Sequence, residues 1–211
     1  MDLSAFTNLL TKEGQWALES AEAFSPIEKD FLADFQMLSK RFPREIARAA
    51  LETAILRGEA RKKFPQAEKM YFTREALEQA SSWEISQVRA ARFQGFSQVV
   101  DLGCSIGSDS LAFSTVTNAV GVEKDPLRIE MAKENAKALA SSAVFIKSDI
   151  TEQNFISQFD ANSGLFIDPA RRKDHRRVKN VEEYQPPLSI IKPWLVGNRA
   201  VGVKISPGVN L

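Results

Sequence analysis

Along the first 93 residues apolar side chains recur at spacings of three and four. Phe31, Phe35 and Leu38 form one such set, and Ile46, Ala50 and Ala54 another. That period is the signature of helices with one buried face. Pro26, Pro43 and Pro65 fall between the periodic runs, where a residue without an N–H fits a loop or a first helical turn, so the region divides into several short helices. Thr73 precedes a run of good helix formers, 74–80, and its hydroxyl is placed to cap that helix. A break at Ser81-Ser82 predicts a further helix through Arg92. After Gly95 the texture changes to short β-branched runs alternating with helical stretches, the pattern of βαβ units and a parallel sheet. Strands are expected at 98–102, 119–123, 143–147, 164–167 and 200–205. Helices are expected at 108–115, 126–139, within 151–159 and at 187–195. The chain therefore reads as an all-helical N-terminal domain, 1–94, followed by an α/β domain, 95–211.

Composition narrows the partners and excludes some chemistry. No apolar run approaches the roughly 20 residues needed to cross a bilayer. Residues 1–10 lack the features of an export signal, so a cytoplasmic location is expected. One cysteine, Cys104, and one histidine, His175, cannot form a disulfide within the chain or a Cys/His metal cluster. The net charge of +1, from 28 basic against 27 acidic residues, does not by itself argue for a nucleic-acid partner. Its distribution says more, because 40–63 and 171–179 are locally basic.

The buried run Val99-Val100-Asp101-Leu102 leads into Gly103-Cys104-Ser105-Ile106-Gly107 and then a helix. A strand, a glycine turn and a helix at the switch point of a parallel sheet make a crevice for a nucleotide. The next strand ends at Glu123, where a carboxylate can accept hydrogen bonds from both ribose hydroxyls. The G-x-G-x-x-G pattern of dinucleotide sites is absent. The run Asp-Leu-Gly-x-x-x-Gly instead resembles the first motif of class I S-adenosylmethionine-dependent methyltransferases. That resemblance implies a Rossmann-like parallel sheet and S-adenosyl-L-methionine as cofactor, with Gly103 and Gly107 among the residues that bind it and Asp101 near its methionine part. It also implies that Asp149 bonds the adenine amino group and that the backbone of Ile150 serves the ring nitrogen. Asp149 fits equally as a cap for the segment after it. Ser105 departs from the family, which usually has glycine there. Cys104 reads as a small packing residue rather than a nucleophile.

At the end of the fourth strand, Asp168-Pro169-Ala170-Arg171-Arg172 sets an acid and a stiff proline beside the crevice. Methyl transfer is an in-line displacement, so the enzyme chiefly has to align a lone pair with the methyl group. Asp168 is the expected catalytic residue, holding an amine and taking its proton, with Pro169 fixing the backbone. Arg171, Arg172, Arg176 and Arg177 are expected to bind the phosphates of an RNA substrate.

Further segments extend the resemblance. They are 56–64 (Leu-Arg-Gly-Glu-Ala-Arg-Lys-Lys-Phe), 72–80 (Phe-Thr-Arg-Glu-Ala-Leu-Glu-Gln-Ala), 184–189 (Tyr-Gln-Pro-Pro-Leu-Ser) and 203–208 (Val-Lys-Ile-Ser-Pro-Gly). Together they resemble bacterial methyltransferases that carry a THUMP-like domain at the C-terminus. That family is similar to the trimethylguanosine synthase group, which methylates an exocyclic guanine amine in RNA. The likeness implies that Phe72 and Thr73 close over the methionine end of the cofactor. The cap enzymes stack an aromatic on the base beside the proline; Ala170 stands here, which leaves Trp194 and Tyr184 as candidates. Transfer to a small molecule or a protein, or a fragment that binds without turnover, are the alternative functions. A complete sheet in the family has seven strands, so the last two, with the THUMP-like domain, are expected to lie beyond this chain. The edge of the fifth strand would then be unpaired and able to support a homodimer.

Overall fold

A computed structural model describes residues 1–152, 155–170, 172–173, 176–178, 180–198 and 200–209. The N-terminal region folds as α1 (Leu3–Leu9), α2 (Lys12–Glu22), α3 (Phe31–Leu38), α4 (Arg44–Ala60), α5 (Arg74–Gln79) and α6 (Trp83–Ala91). Several starts follow from local chemistry. Asp2 accepts the Ala5 N–H at 2.9 Å and Thr11 that of Gly14 at 3.1 Å. α4 begins directly after Pro43, and Thr73 caps α5 by accepting the Ala76 N–H at 3.1 Å. Ser82 stands before α6 without a side-chain capping bond.

Beyond α6 the chain alternates as expected: β1 (Gln98–Leu102), α7 (Ser108–Phe113), β2 (Asn118–Glu123), α8 (Pro126–Ala138), β3 (Val144–Lys147) and β4 (Gly164–Ile167). A two-stranded antiparallel hairpin follows, β5 (Arg172–Lys173) and β6 (Arg176–Arg177), and then β7 (Val201–Val203). The five long-range strands form one parallel sheet in the order β3-β2-β1-β4-β7. The order reverses at β1, so the loops that follow β1 and β4 lead away from each other and leave a crevice at the strand ends. Two expected helices differ in type. Phe155–Gln158 and Leu188–Asn198 are 3₁₀ helices. In the second, Pro193 lies inside the run and has no N–H to continue an α-helical ladder.

Side chains of β1 and β4 alternate between two cores. Val100, Leu102, Leu165 and Ile167 pack with Phe155, Ile156 and Trp194 on one face. Val99 and Phe166 pack with Phe93, Phe113 and Ala90 on the other. The largest apolar cluster joins α1–α5 to the second half of the chain, since Ile106, Leu111, Met131 and Ala136 belong to it with Phe6, Leu51, Phe64 and Phe72. Asn135, fully buried on α8, locks this junction. Its side chain accepts from the Tyr71 N–H at 2.7 Å and donates to the carbonyls of Tyr71 and Ile106 at 3.1 and 3.0 Å. Leaving such a group unpaired would be costly, so the bonds fix the segment entering α5 against the glycine turn. Among the described residues no helix is long and apolar enough to cross a membrane.

Candidate active site

A cavity of about 780 Å³ opens at the carboxyl ends of β1, β2, β3 and β4. Its floor is the turn after β1, and its walls come from the β2, β3 and β4 ends and from 185–187. α5 and the segment leading to α6 complete it through Glu75, Ala76, Gln79, Ala80 and Ser81. The sequence-predicted residues Asp101, Gly103, Glu123, Asp149, Ile150, Asp168 and Pro169 all line this one space.

Gly103 adopts φ +82°, a left-handed conformation that favours glycine, and no atom lies within 4 Å of where a Cβ would project. The backbone there is left open to a ligand. Gly107 also has a left-handed φ, +84°, but a different surrounding: a Cβ would meet the Phe145 ring at 2.8 Å. Gly107 is not among the residues lining the cavity, so its glycine serves the turn into α7 and the packing of Phe145. Ser105 adopts φ +52°, which accounts for glycine being usual at this place in the family. Its hydroxyl is buried and has no hydrogen-bond partner among the described residues.

Glu123 is 9% exposed and organises the turn. One carboxylate oxygen accepts the Ser105 N–H at 2.9 Å, and the other accepts those of Lys124 and Asp125 at 2.8 and 2.9 Å. A carboxylate has about four acceptor directions, so these three bonds orient it without exhausting it. Asp149 accepts the Thr151 hydroxyl and N–H at 2.7 and 2.9 Å. Those bonds, the hydroxyl first, hold its carboxyl below the usual range. In place of the helix cap foreseen for Asp149, these bonds close a turn at 149–151, and the residue also faces the cavity.

Asp101 is buried, and the Ser110 hydroxyl donates to it at 2.6 Å. Burial, with Asp109 nearby, pushes its carboxyl up to about 8. Asp109, also lining the cavity, pairs with Arg89 from α6, whose guanidinium lies 4.9 Å over the Phe166 ring and donates to Ser81 at 3.1 Å. Burial likewise raises the Cys104 thiol well above its ordinary value, so it stays protonated and inert at neutral pH, in keeping with a packing residue.

Asp168 forms an ion pair with Lys204, just past β7. The Lys204 N–H donates to the Ile167 carbonyl at 3.0 Å, which ties the two strand ends together. Pro169 and Ala170 continue the wall, and Ala170 exchanges two backbone bonds with Gln185 at 2.9 and 3.0 Å. This bridge brings Pro186 and Pro187 to the cavity beside Asp168.

Other expectations fall elsewhere. Phe72 is 1% exposed, packs its ring 5.5 Å from that of Phe64, and does not line the cavity; neither does Thr73. The helix that Thr73 caps does line it, through Glu75, Ala76 and Gln79. Tyr184 and Trp194 are buried, at 1% and 7% exposure, and are not available for stacking. Arg171 lies outside the described residues. Arg172, Arg176 and Arg177 belong to the β5–β6 hairpin, which begins two residues after the cavity-lining Ala170. Lys204, Arg89 and Asp109 were missed; a lone lysine at the end of an apolar strand, facing an Asp-Pro turn, is the one signal that could have flagged Lys204.

A parallel sheet reversing at β1, a glycine turn after that strand and an acidic residue at the end of β2 form a Rossmann-like doubly wound fold with a nucleotide crevice, the fold also found in methyltransferases. Comparison with solved structures agrees. A crystal structure from Porphyromonas gingivalis W83, described as a "putative methyltransferase", superposes with a TM-score of 0.68 at 22% identity, covering 87% of this chain and 51% of that one. Two uncharacterized S-adenosylmethionine-dependent methyltransferases, from the CDC 1551 and H37Rv strains of Mycobacterium tuberculosis, are each 34% identical over 167 residues. The match covers 76% of this chain and 45% of each relative, so the chain spans less than half their length. Residues 2–60 match a family described as "Domain of unknown function (DUF8688)".

Proposed function

We propose that this chain is an S-adenosylmethionine-dependent methyltransferase that acts on an exocyclic amine of an RNA base. The observation that carries the reading is the single cavity shared by Glu123 and Asp168. The fit to the cofactor rests on the open backbone at Gly103, the spare acceptor capacity of Glu123 and the acid at each neighbouring strand end. When bound, S-adenosylmethionine would supply a methyl group on a positively charged sulfur.

The residues divide the remaining work. Glu123 would hold the ribose hydroxyls, Asp149 and the Ile150 backbone the adenine, and Asp101 the methionine end. Asp168 would accept an N–H of the substrate amine, aligning its lone pair, and then receive the proton. Lys204 keeps that carboxylate in one orientation, and Pro169 stiffens the strand end. Pro186, Pro187 and the α5 segment exclude water from the reacting amine. The β5–β6 hairpin supports RNA as substrate, because its arginines follow the reacting end directly and suit phosphate binding. Kinship with the THUMP-like methyltransferases and the trimethylguanosine synthase group rests on the motifs at 72–80, 168–172 and 184–189.

A second reading, transfer to an amine of a small molecule or protein, draws support from one feature. No aromatic side chain lines the cavity among the described residues. Radiolabel transfer from S-adenosylmethionine to pools of RNA, protein and small amines separates the two. Label in RNA that is lost in Asp168→Ala and reduced in Arg176→Ala/Arg177→Ala is the expected result. Label confined to protein or small molecules overturns the RNA reading and leaves the methyltransferase reading standing.

A further inference from the structure

The cavity accounts for the second half of the chain and for α5, but not for a surface patch formed by α2, α3 and the start of α4. Trp16 on α2 is 55% exposed, although it is the largest apolar side chain of that helix. Its ring meets Phe42 edge to face, with centroids 5.0 Å apart. The Arg41 guanidinium lies 5.5 Å from both ring centroids. Next to it, Arg44 lies 5.2 Å over Phe35, which stacks on Phe31.

These guanidiniums differ from those of Arg48 and Arg74, two other exposed arginines of the region. Arg48 is paired with Glu52 at 2.9 Å, and Arg74 with Glu28 and Glu59. Among the described residues Arg41 and Arg44 make ring contacts and no ion pair. The stretch 40–48 carries Lys40, Arg41, Arg44 and Arg48 against Glu45 alone, and Lys40 is exposed as well. An exposed indole beside unneutralised guanidiniums already held on aromatic faces offers two complementary things. Flat apolar area accepts a base, and fixed positive charge accepts the phosphates on either side of it. A protein partner that only buried Trp16 would have to desolvate both guanidiniums, which disfavours an apolar interface.

We infer that residues 2–60 carry a binding surface for single-stranded RNA, with Trp16 as the stacking platform and Arg41 and Arg44 as phosphate contacts. The inference rests on the RNA reading of the methyltransferase and extends it, assigning substrate capture to a face built entirely from the helical region. It also supplies aromatic stacking that the cavity lacks.

The test is fluorescence anisotropy of a labelled single-stranded RNA titrated with the whole chain at several salt concentrations. S-adenosylhomocysteine affinity is measured in parallel by calorimetry. Trp16→Ala is expected to weaken RNA binding about tenfold and Trp16→Phe much less. Arg41→Gln and Arg44→Gln should each weaken it several-fold and lower the slope of log affinity against log salt by about 0.7. S-adenosylhomocysteine affinity should be the same in all four variants. RNA affinity unchanged in every variant, but reduced by Arg176→Ala/Arg177→Ala, overturns the inference and keeps the RNA reading. No RNA binding by the unaltered chain overturns both. Self-association that Trp16→Ala abolishes, with no effect on RNA, shows the patch to be a contact between copies and overturns the inference.

Discussion

Asp101→Asn removes the titrating carboxyl beneath the cavity while keeping the shape of the side chain. The native carboxyl is 3% exposed and is pushed from 3.8 to about 8, mainly by burial and next by Asp109. The folded chain therefore keeps this proton at neutral pH, whereas the unfolded chain has released it. Between the two values the folded state binds more protons, so stability from this group is greatest below 3.8 and is lost as pH rises to about 8. One proton changes stability by at most ~1.4 kcal/mol per pH unit, so between roughly pH 6 and pH 8 the native chain should lose ~1–3 kcal/mol that the asparagine variant keeps. Asparagine can still accept the Ser110 hydroxyl, which limits other damage. Urea unfolding of both proteins across that range reads the difference directly. Two parallel stability profiles would refute the argument, because they would mean that Asp101 is ionised in the folded chain.

Three other outcomes follow from the same geometry. Glu123→Ala should lose about 100-fold in S-adenosylhomocysteine affinity by calorimetry, since it removes the proposed ribose acceptor and three backbone bonds that hold the turn; Glu123→Gln, which keeps an acceptor, should lose less. Gly107→Ala should cost ~2–4 kcal/mol in thermal unfolding from its left-handed backbone and the Phe145 clash, with little change in S-adenosylhomocysteine affinity per folded molecule. β7 has one neighbour in the sheet among the described residues, so light scattering should find a dimer joined along that edge, and a monomer with rapidly exchanging β7 amides would refute this.

Local signals in the sequence were enough for the strands of the parallel sheet, α7, α8 and the Thr73 cap, because β-branched runs and capping residues act over a few positions. The acids near the ends of β1, β2, β3 and β4 were legible for the same reason: each lies within two residues of its strand's last position. What escaped was pairing between distant positions. Lys204 reaches Asp168 across 36 residues and Arg89 reaches Asp109 across 20, contacts that exist only once β7 lies beside β4 and α6 beside α7. The β5–β6 hairpin escaped because a run of like charges carries no apolar alternation. Phe72 was assigned to the cofactor by resemblance, but its ring lies in the core, and the same segment lines the cavity through the next helical turn.

The apolar cluster that joins α1–α5 to Ile106, Leu111, Met131 and Ala136 bears on how the molecule melts. Stripping away the first 60 residues would bare those four side chains to water, so the two parts share this interior. Heat should disassemble both parts in a single cooperative step. Selection on the sheet half would then act on the helices as well, since a mutation that loosens α4 withdraws support from the glycine turn after β1.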